Sequence, residues 1–160
     1  MSLHLLFKQL KIKQIAMLML VMLITFACEP VDYGEVPEVP SFERSYDLNL
    51  PSNIDLLTVN GSIYDESVGF KGIIVFRVKQ DGAHDDFVAY ETACPHDCLS
   101  KGGKINWERW MLLSECETCH SQFLLMYGGN GWPIDGLQPT NLPLKRYNTY
   151  FDGRYVIVKH

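Results

Sequence analysis

Two short segments carry most of the chemistry this chain offers: Cys94-Pro95-His96 and, after nineteen intervening residues, Cys116-Glu117-Thr118-Cys119-His120. Thiolates and imidazoles presented from two separated loops suit zinc, iron and iron–sulfur clusters, and suit magnesium or calcium poorly. Cys98 follows closely, so Cys94-x3-Cys98 with Cys116-x2-Cys119 also has the paired spacing of a structural zinc site. In an exported domain the same four cysteines would alternatively close two disulfides and hold no metal. Cys116 to His120 further spells the attachment motif of a c-type haem, with His120 on the iron and Met126 opposite. A haem there would leave Cys94-Pro95-His96 without a role, and a β-rich run rather than a helix follows the motif.

The elements that must position these loops read as strands. Gly72–Val78, Phe87–Tyr90, Trp110–Leu113, Phe123–Tyr127 and Arg154–Lys159 are short runs rich in β-branched, aromatic or aliphatic residues. Between them lie turn signals: Asn60-Gly61, Asp81-Gly82, Gly102-Gly103, Gly128-Gly129 and Asp152-Gly153. No long amphipathic helix and no internal repeat is evident after the first thirty or so residues. Many short strands punctuated by glycine turns predict an all-β domain, an antiparallel sandwich or partial barrel. Both cysteine segments then fall on loops between strands.

On those loops the chain resembles the Rieske iron–sulfur family. Cys94-Pro95-His96 is similar to that family's first ligand loop, and Cys116 through Ser121-Gln122-Phe123 to its second. Gly136-Leu137-Gln138-Pro139 with Leu142-Pro143-Leu144 looks like the proline-bearing loop that covers the cluster. The resemblance spans roughly residues 46–160. It implies a β-sandwich or partial barrel with a small cluster-binding subdomain, a [2Fe–2S] cluster, and one-electron transfer with a redox partner protein. In Rieske centres two cysteines hold one iron and two histidines the other. Aligned without a gap, this chain has Cys119 at the second histidine's place, giving Cys94, His96, Cys116 and Cys119. A register with one inserted residue instead makes His120 the ligand and would let Cys98 pair with Cys119 as a loop-to-loop disulfide. We favour the ungapped register, although it puts His120 where a glycine is usual. Replacing one histidine by a thiolate implies a lowered potential. Phe123 acts in the same direction, lacking the hydroxyl that a tyrosine there gives to a cysteine sulfur. Ser121 matches the family's hydroxyl donor to the cluster. Zinc, or no metal at all, remain the alternatives.

The N-terminus reads as an export signal. Lys8, Lys11 and Lys13 precede an apolar run from Ile15 to Ala27, short of the roughly 20 residues a membrane span needs. Thr25-Phe26-Ala27-Cys28 resembles the bacterial lipobox, which implies cleavage after residue 27 and lipid on Cys28. The chain is therefore expected in the cell envelope, anchored to the outer or inner membrane. Residues 28–45 are acidic and carry Pro30, Pro37 and Pro40, which suggests an extended tether before a domain at 46–160. Removing residues 1–27 takes away three of the 14 basic residues and none of the 19 acidic ones, moving the net charge from −5 to −8. Such a chain repels phosphate backbones, so nucleic acid is not an expected partner. Nor is catalysis expected. A mononuclear iron site of two histidines and a carboxylate would need more than His84 and the terminal His160, the only histidines beyond residue 27 outside the cysteine segments.

Overall fold

The computed structural model describes residues 13–14, 34–126, 130–134 and 140–160. The export signal, Cys28, the Gly128-Gly129 turn and the Gly136–Pro139 loop lie outside the described residues. A compact unit spans Asp32–His160. It is all-β, as predicted. Among the described residues eight strands form in chain order: β1 Glu43–Asp47, β2 Ser62–Asp65, β3 Ile73–Arg77, β4 Phe87–Glu91, β5 Leu113–Glu115, β6 Gln122–Leu124, β7 Arg146–Phe151 and β8 Tyr155–Lys159. A short 3₁₀ helix, Pro51–Leu57, links β1 to β2. Among the described residues no helix is long and apolar enough to cross a membrane.

Six strands build one curled antiparallel sheet in the order β1-β8-β7-β4-β3-β2, while β5 and β6 pair as a separate hairpin. The central pair explains why the apolar runs here do not alternate. Every residue of β3 and β4 is buried, because both faces of these strands are covered. On one face Ile73, Val75, Phe87 and Ala89 pack with Tyr147, Phe151, Val156 and Val158. On the other, Ile74, Phe76, Val88 and Tyr90 pack with Ile105, Phe123 and Leu125, and with Cys94 and Cys116. The second face thus seats the β5–β6 hairpin and the cysteines on the sheet. Each fully buried side chain of this size contributes about 1.5–3 kcal/mol. Where a face meets water, alternation returns, as in β8.

Two expected strands are shorter than their apolar runs. Trp110 takes a left-handed conformation (φ 64°), which turns the chain, so β5 starts only at Leu113. The run from Phe123 pairs as Gln122–Leu124, with Leu125 donating its N–H to the Leu112 carbonyl outside the ladder.

Residues 34–42, within the acidic proline-bearing stretch, lie packed along this unit. Glu35 donates its N–H to the Pro95 carbonyl at 2.9 Å, and its carboxylate accepts from the Leu99 and Ser100 amides. Those amides hold the Glu35 carboxyl below its ordinary value, Ser100 most strongly. Val36 is buried with Ala93 and Cys98. Glu38 pairs with Lys145 at 3.0 Å and His160 at 3.1 Å. Gly34 approaches the Pro95 carbonyl so closely that a Cβ there would overlap it.

Candidate metal centre

The first cysteine loop leaves β4 under firm control. Glu91, fully buried at the end of β4, accepts hydrogen bonds from the Phe70, Lys71 and Ala93 amides and from the Tyr147 hydroxyl. Ala93 then bridges Lys104, and Cys94 donates its N–H to the Gly103 carbonyl. Within the loop, Cys98 N–H reaches the Cys94 carbonyl, and the Lys101 and Gly103 amides both reach the Asp97 carbonyl. The backbone from 94 to 103 is thereby closed on itself.

The second loop is the turn of the β5–β6 hairpin. Cys116 donates to the Ser121 carbonyl at 2.9 Å and His120 to the Cys116 carbonyl at 3.0 Å. The turn is completed by His120 in a left-handed conformation, φ 61°. The two loops are joined by an Ile105–Cys116 bridge and by the Glu117 amide on the Lys104 carbonyl.

These loops bring Cys94, Asp97, Cys116 and Cys119 together, with one donor atom of each within 4.8 Å of all the others. The Cys94 and Cys119 sulfurs are 3.7 Å apart, and Cys116 Sγ lies 3.6 Å from Asp97 Oδ1. Such a group can hold a metal. Cys94 and Cys116 are fully buried, whereas Cys119 is part-exposed and closes the solvent side. The Thr118 and Cys119 amides point at Cys116 Sγ, each at 3.5 Å. Ser121 Oγ, also buried, sits 3.2 Å from Cys119 Sγ.

Burial pushes the Cys94 thiol well above its ordinary value, against a weaker opposing pull from the His96 amide. The neighbouring Cys116 and Cys119 sulfurs add to the rise. Burial likewise raises Cys116, opposed by the amides of Cys119 and Thr118. Without a cation the buried thiols keep their protons; a bound metal would displace them. Amides already aimed at sulfur favour the thiolate that a metal needs.

The remaining predicted residues lie elsewhere. His96 is exposed and stands outside the 4.8 Å group. His120 is also exposed and pairs with Glu115 at 2.9 Å, away from the sulfurs. Cys98 is a free, buried thiol in the small cluster with Val36 and Ala93. The Cys119 thiol is likewise free and faces Cys94.

Asp97 is the residue that spacing did not single out. It is 1% exposed, and its Oδ2 finds no hydrogen-bond partner among the described residues. The signal for it was slight: a carboxylate between His96 and Cys98, inside a segment otherwise rich in metal donors.

No family model matches the chain, and no curated protein matches it. Fold and site therefore define it as an all-β protein with a curled six-stranded sheet and a Cys/Asp group able to hold a metal.

Proposed function

We propose that this chain is an exported, lipid-tethered iron–sulfur protein that carries single electrons to and from a protein partner and catalyses no reaction itself. The observation that carries the proposal is the convergence of three cysteine sulfurs, from two loops, on one buried point against the sheet. Thiolate-rich sets of this kind suit iron–sulfur chemistry. The burial gradient supports it too. Cys94 and Cys116 lie inside while Cys119 and His96 occupy the solvent side of the same loops, so an electron would enter and leave at the surface. A cluster bound there would supply the one-electron couple.

The chain's own residues do the rest. Cys94, Cys116 and Cys119 would hold the irons, with a fourth donor from the first loop. Thr118 and Cys119 amides stabilise negative charge on Cys116 Sγ, and Ser121 does so beside Cys119. Phe123, Ile105 and Leu125 exclude water from the inner side. Three thiolates leave more negative charge on the centre than a set with two histidines, which lowers the potential. The lipobox-like Thr25–Cys28 supports attachment to the bacterial envelope, and the acidic composition disfavours nucleic acid.

A second candidate is a single zinc ion with a structural role. Tetrahedral zinc–sulfur bonds of about 2.3 Å give sulfur–sulfur edges of about 3.8 Å, close to the 3.7 Å between Cys94 and Cys119. The confinement of all four donors within 4.8 Å also suits one ion.

Electron paramagnetic resonance on the reduced protein, produced with iron and without oxygen, tests both, alongside iron, zinc and acid-labile sulfide analysis. A rhombic spectrum with equal iron and sulfide, abolished by Cys116→Ser, is expected. One zinc per chain without sulfide would establish the structural ion instead. A chain that binds neither metal, or one in which iron survives Cys116→Ser, would overturn the ligand assignment.

A further inference from the structure

We propose that the carboxylate of Asp97 is the fourth ligand of this centre, in place of His96 or His120. The inference rests on the reading that Cys94, Cys116 and Cys119 hold a metal, and it applies to an iron or a zinc centre alike.

Three observations place the carboxylate there. Asp97 is 1% exposed, and a carboxylate so buried normally has hydrogen-bond donors around it, yet Oδ2 has none among the described residues. Its other oxygen, Oδ1, faces Cys116 Sγ at 3.6 Å, and the carboxylate falls within 4.8 Å of all three sulfurs. Oδ1 accepts only the weak, long bond of the Cys116 thiol and Oδ2 accepts none among the described residues, so a cation would supply the stronger partner. Gly103 supplies the room: a Cβ at that position would overlap Asp97 Oδ1 and stand 3.2 Å from Cys94 Cβ. The backbone is fixed independently, because the Asp97 carbonyl accepts from both Lys101 and Gly103 amides at 3.0 Å. The side chain is therefore aimed by its loop at the sulfurs.

Neither imidazole competes from where it stands. His96 is exposed and outside the group, and the ring of His120 is committed to Glu115. The resulting set is three thiolates and one carboxylate. Carboxylate oxygen is an ordinary zinc ligand and a harder donor than sulfur. Among the described residues nothing satisfies Oδ2, and Oδ1 accepts only the long contact from the Cys116 thiol, so the fold gains little from this carboxylate.

Cobalt(II) alone, titrated into the purified full chain, provides the test, because its charge-transfer absorption scales with the number of bound thiolates. Wild type is expected to show three thiolates, and Asp97→Cys to raise that intensity by about a third as the set becomes four sulfurs. Asp97→Asn should weaken cobalt affinity by about tenfold or more, while His96→Ala and His120→Ala leave it unchanged. Metal-free Asp97→Asn should unfold at the same temperature as wild type or higher, which a merely structural carboxylate would not allow. If His96→Ala or His120→Ala weakens binding and Asp97→Asn does not, the histidine is the ligand and the proposal is wrong. If Cys116→Ser binds cobalt as wild type does, or wild type binds none, the three-cysteine centre itself fails and Asp97 loses its role with it.

Discussion

Glu91 offers the sharpest test of how the sheet holds the metal loop. Its carboxylate is fully buried and accepts four hydrogen bonds: from the Phe70 amide at 2.7 Å, Lys71 at 2.9 Å, Ala93 at 3.1 Å and the Tyr147 hydroxyl at 2.7 Å. Glu91→Ala leaves four donors without an acceptor. An unsatisfied buried donor costs about 1–3 kcal/mol, but removing the carboxylate also relieves a desolvation penalty of several kcal/mol. Water entering the vacated space offsets a further share. The net loss expected is about 3–5 kcal/mol, a large fraction of the roughly 5–15 kcal/mol that holds a domain folded. Tyr147→Phe removes one of the four bonds and should cost about 1–2 kcal/mol. In the double variant the two losses should fall short of additivity by about 1 kcal/mol or more, since both remove the same bond. Urea denaturation with unchanged m-values measures all three, and amide exchange at Ala93 and Ile105 reports on the loop directly. A Glu91→Ala loss below about 1 kcal/mol, or strict additivity with Tyr147→Phe, would refute the view that this carboxylate clamps β4, β7 and the Cys94 loop together.

Two further outcomes are expected. Burial raises the hydroxyl pKa of Tyr46, Tyr90 and Tyr147, Tyr90 to about 12. The folded state therefore keeps protons that an unfolded chain releases near pH 10. Alkaline loss of stability should begin near about pH 8.5, where unfolded thiols ionise while buried Cys94 and Cys116 keep their protons, and steepen above about pH 10, with absorbance from the buried tyrosinates rising together with unfolding. Ionisation of all tyrosines near pH 10 in a chain that stays folded would contradict the burial argument. Val36→Ala should lower stability by about 1–2 kcal/mol and speed amide exchange at Leu99 and Ser100, because Val36 seats the segment that presents Glu35 to those amides. Unchanged exchange there would mean that the segment does not brace the cysteine loop.

The sheet was legible because its strongest strands are its most buried ones. Ile73–Phe76 and Phe87–Tyr90 are apolar without alternation, as strands covered on both faces must be. Cys94, Cys116 and Cys119 were legible from type and spacing, and the structure brings these three together. Asp97 was not, because an acid is singled out only by its surroundings, and the space it fills is made by Gly103. Nor does spacing reveal that His96 faces out while its immediate neighbour faces in. The packing of residues 34–42 was illegible for a related reason. Their composition is that of a solvated linker, yet Glu35 finds amides 64 residues away and Glu38 finds a lysine 107 residues away. No local pattern encodes contacts of that range. The truncation of the predicted Trp110 strand turns on one left-handed residue, a conformation unusual for a tryptophan.

The pairing of β1 with β8 sets the order in which the molecule can be completed. Asp47 meets Tyr155 and Glu43 meets Lys159, so the first strand waits for the last, across more than a hundred residues of intervening chain. The cysteine loops, by contrast, close over short separations between β4 and β6. Loop closure over a long separation is entropically the more expensive event and the slower one. A chain emerging from its N-terminus therefore has its thiols gathered before its sheet is sealed, and the last strand acts as the latch. Loss of the final few residues would leave two strand edges open at once, those of β1 and β7, turning a late folding step into an invitation to aggregate.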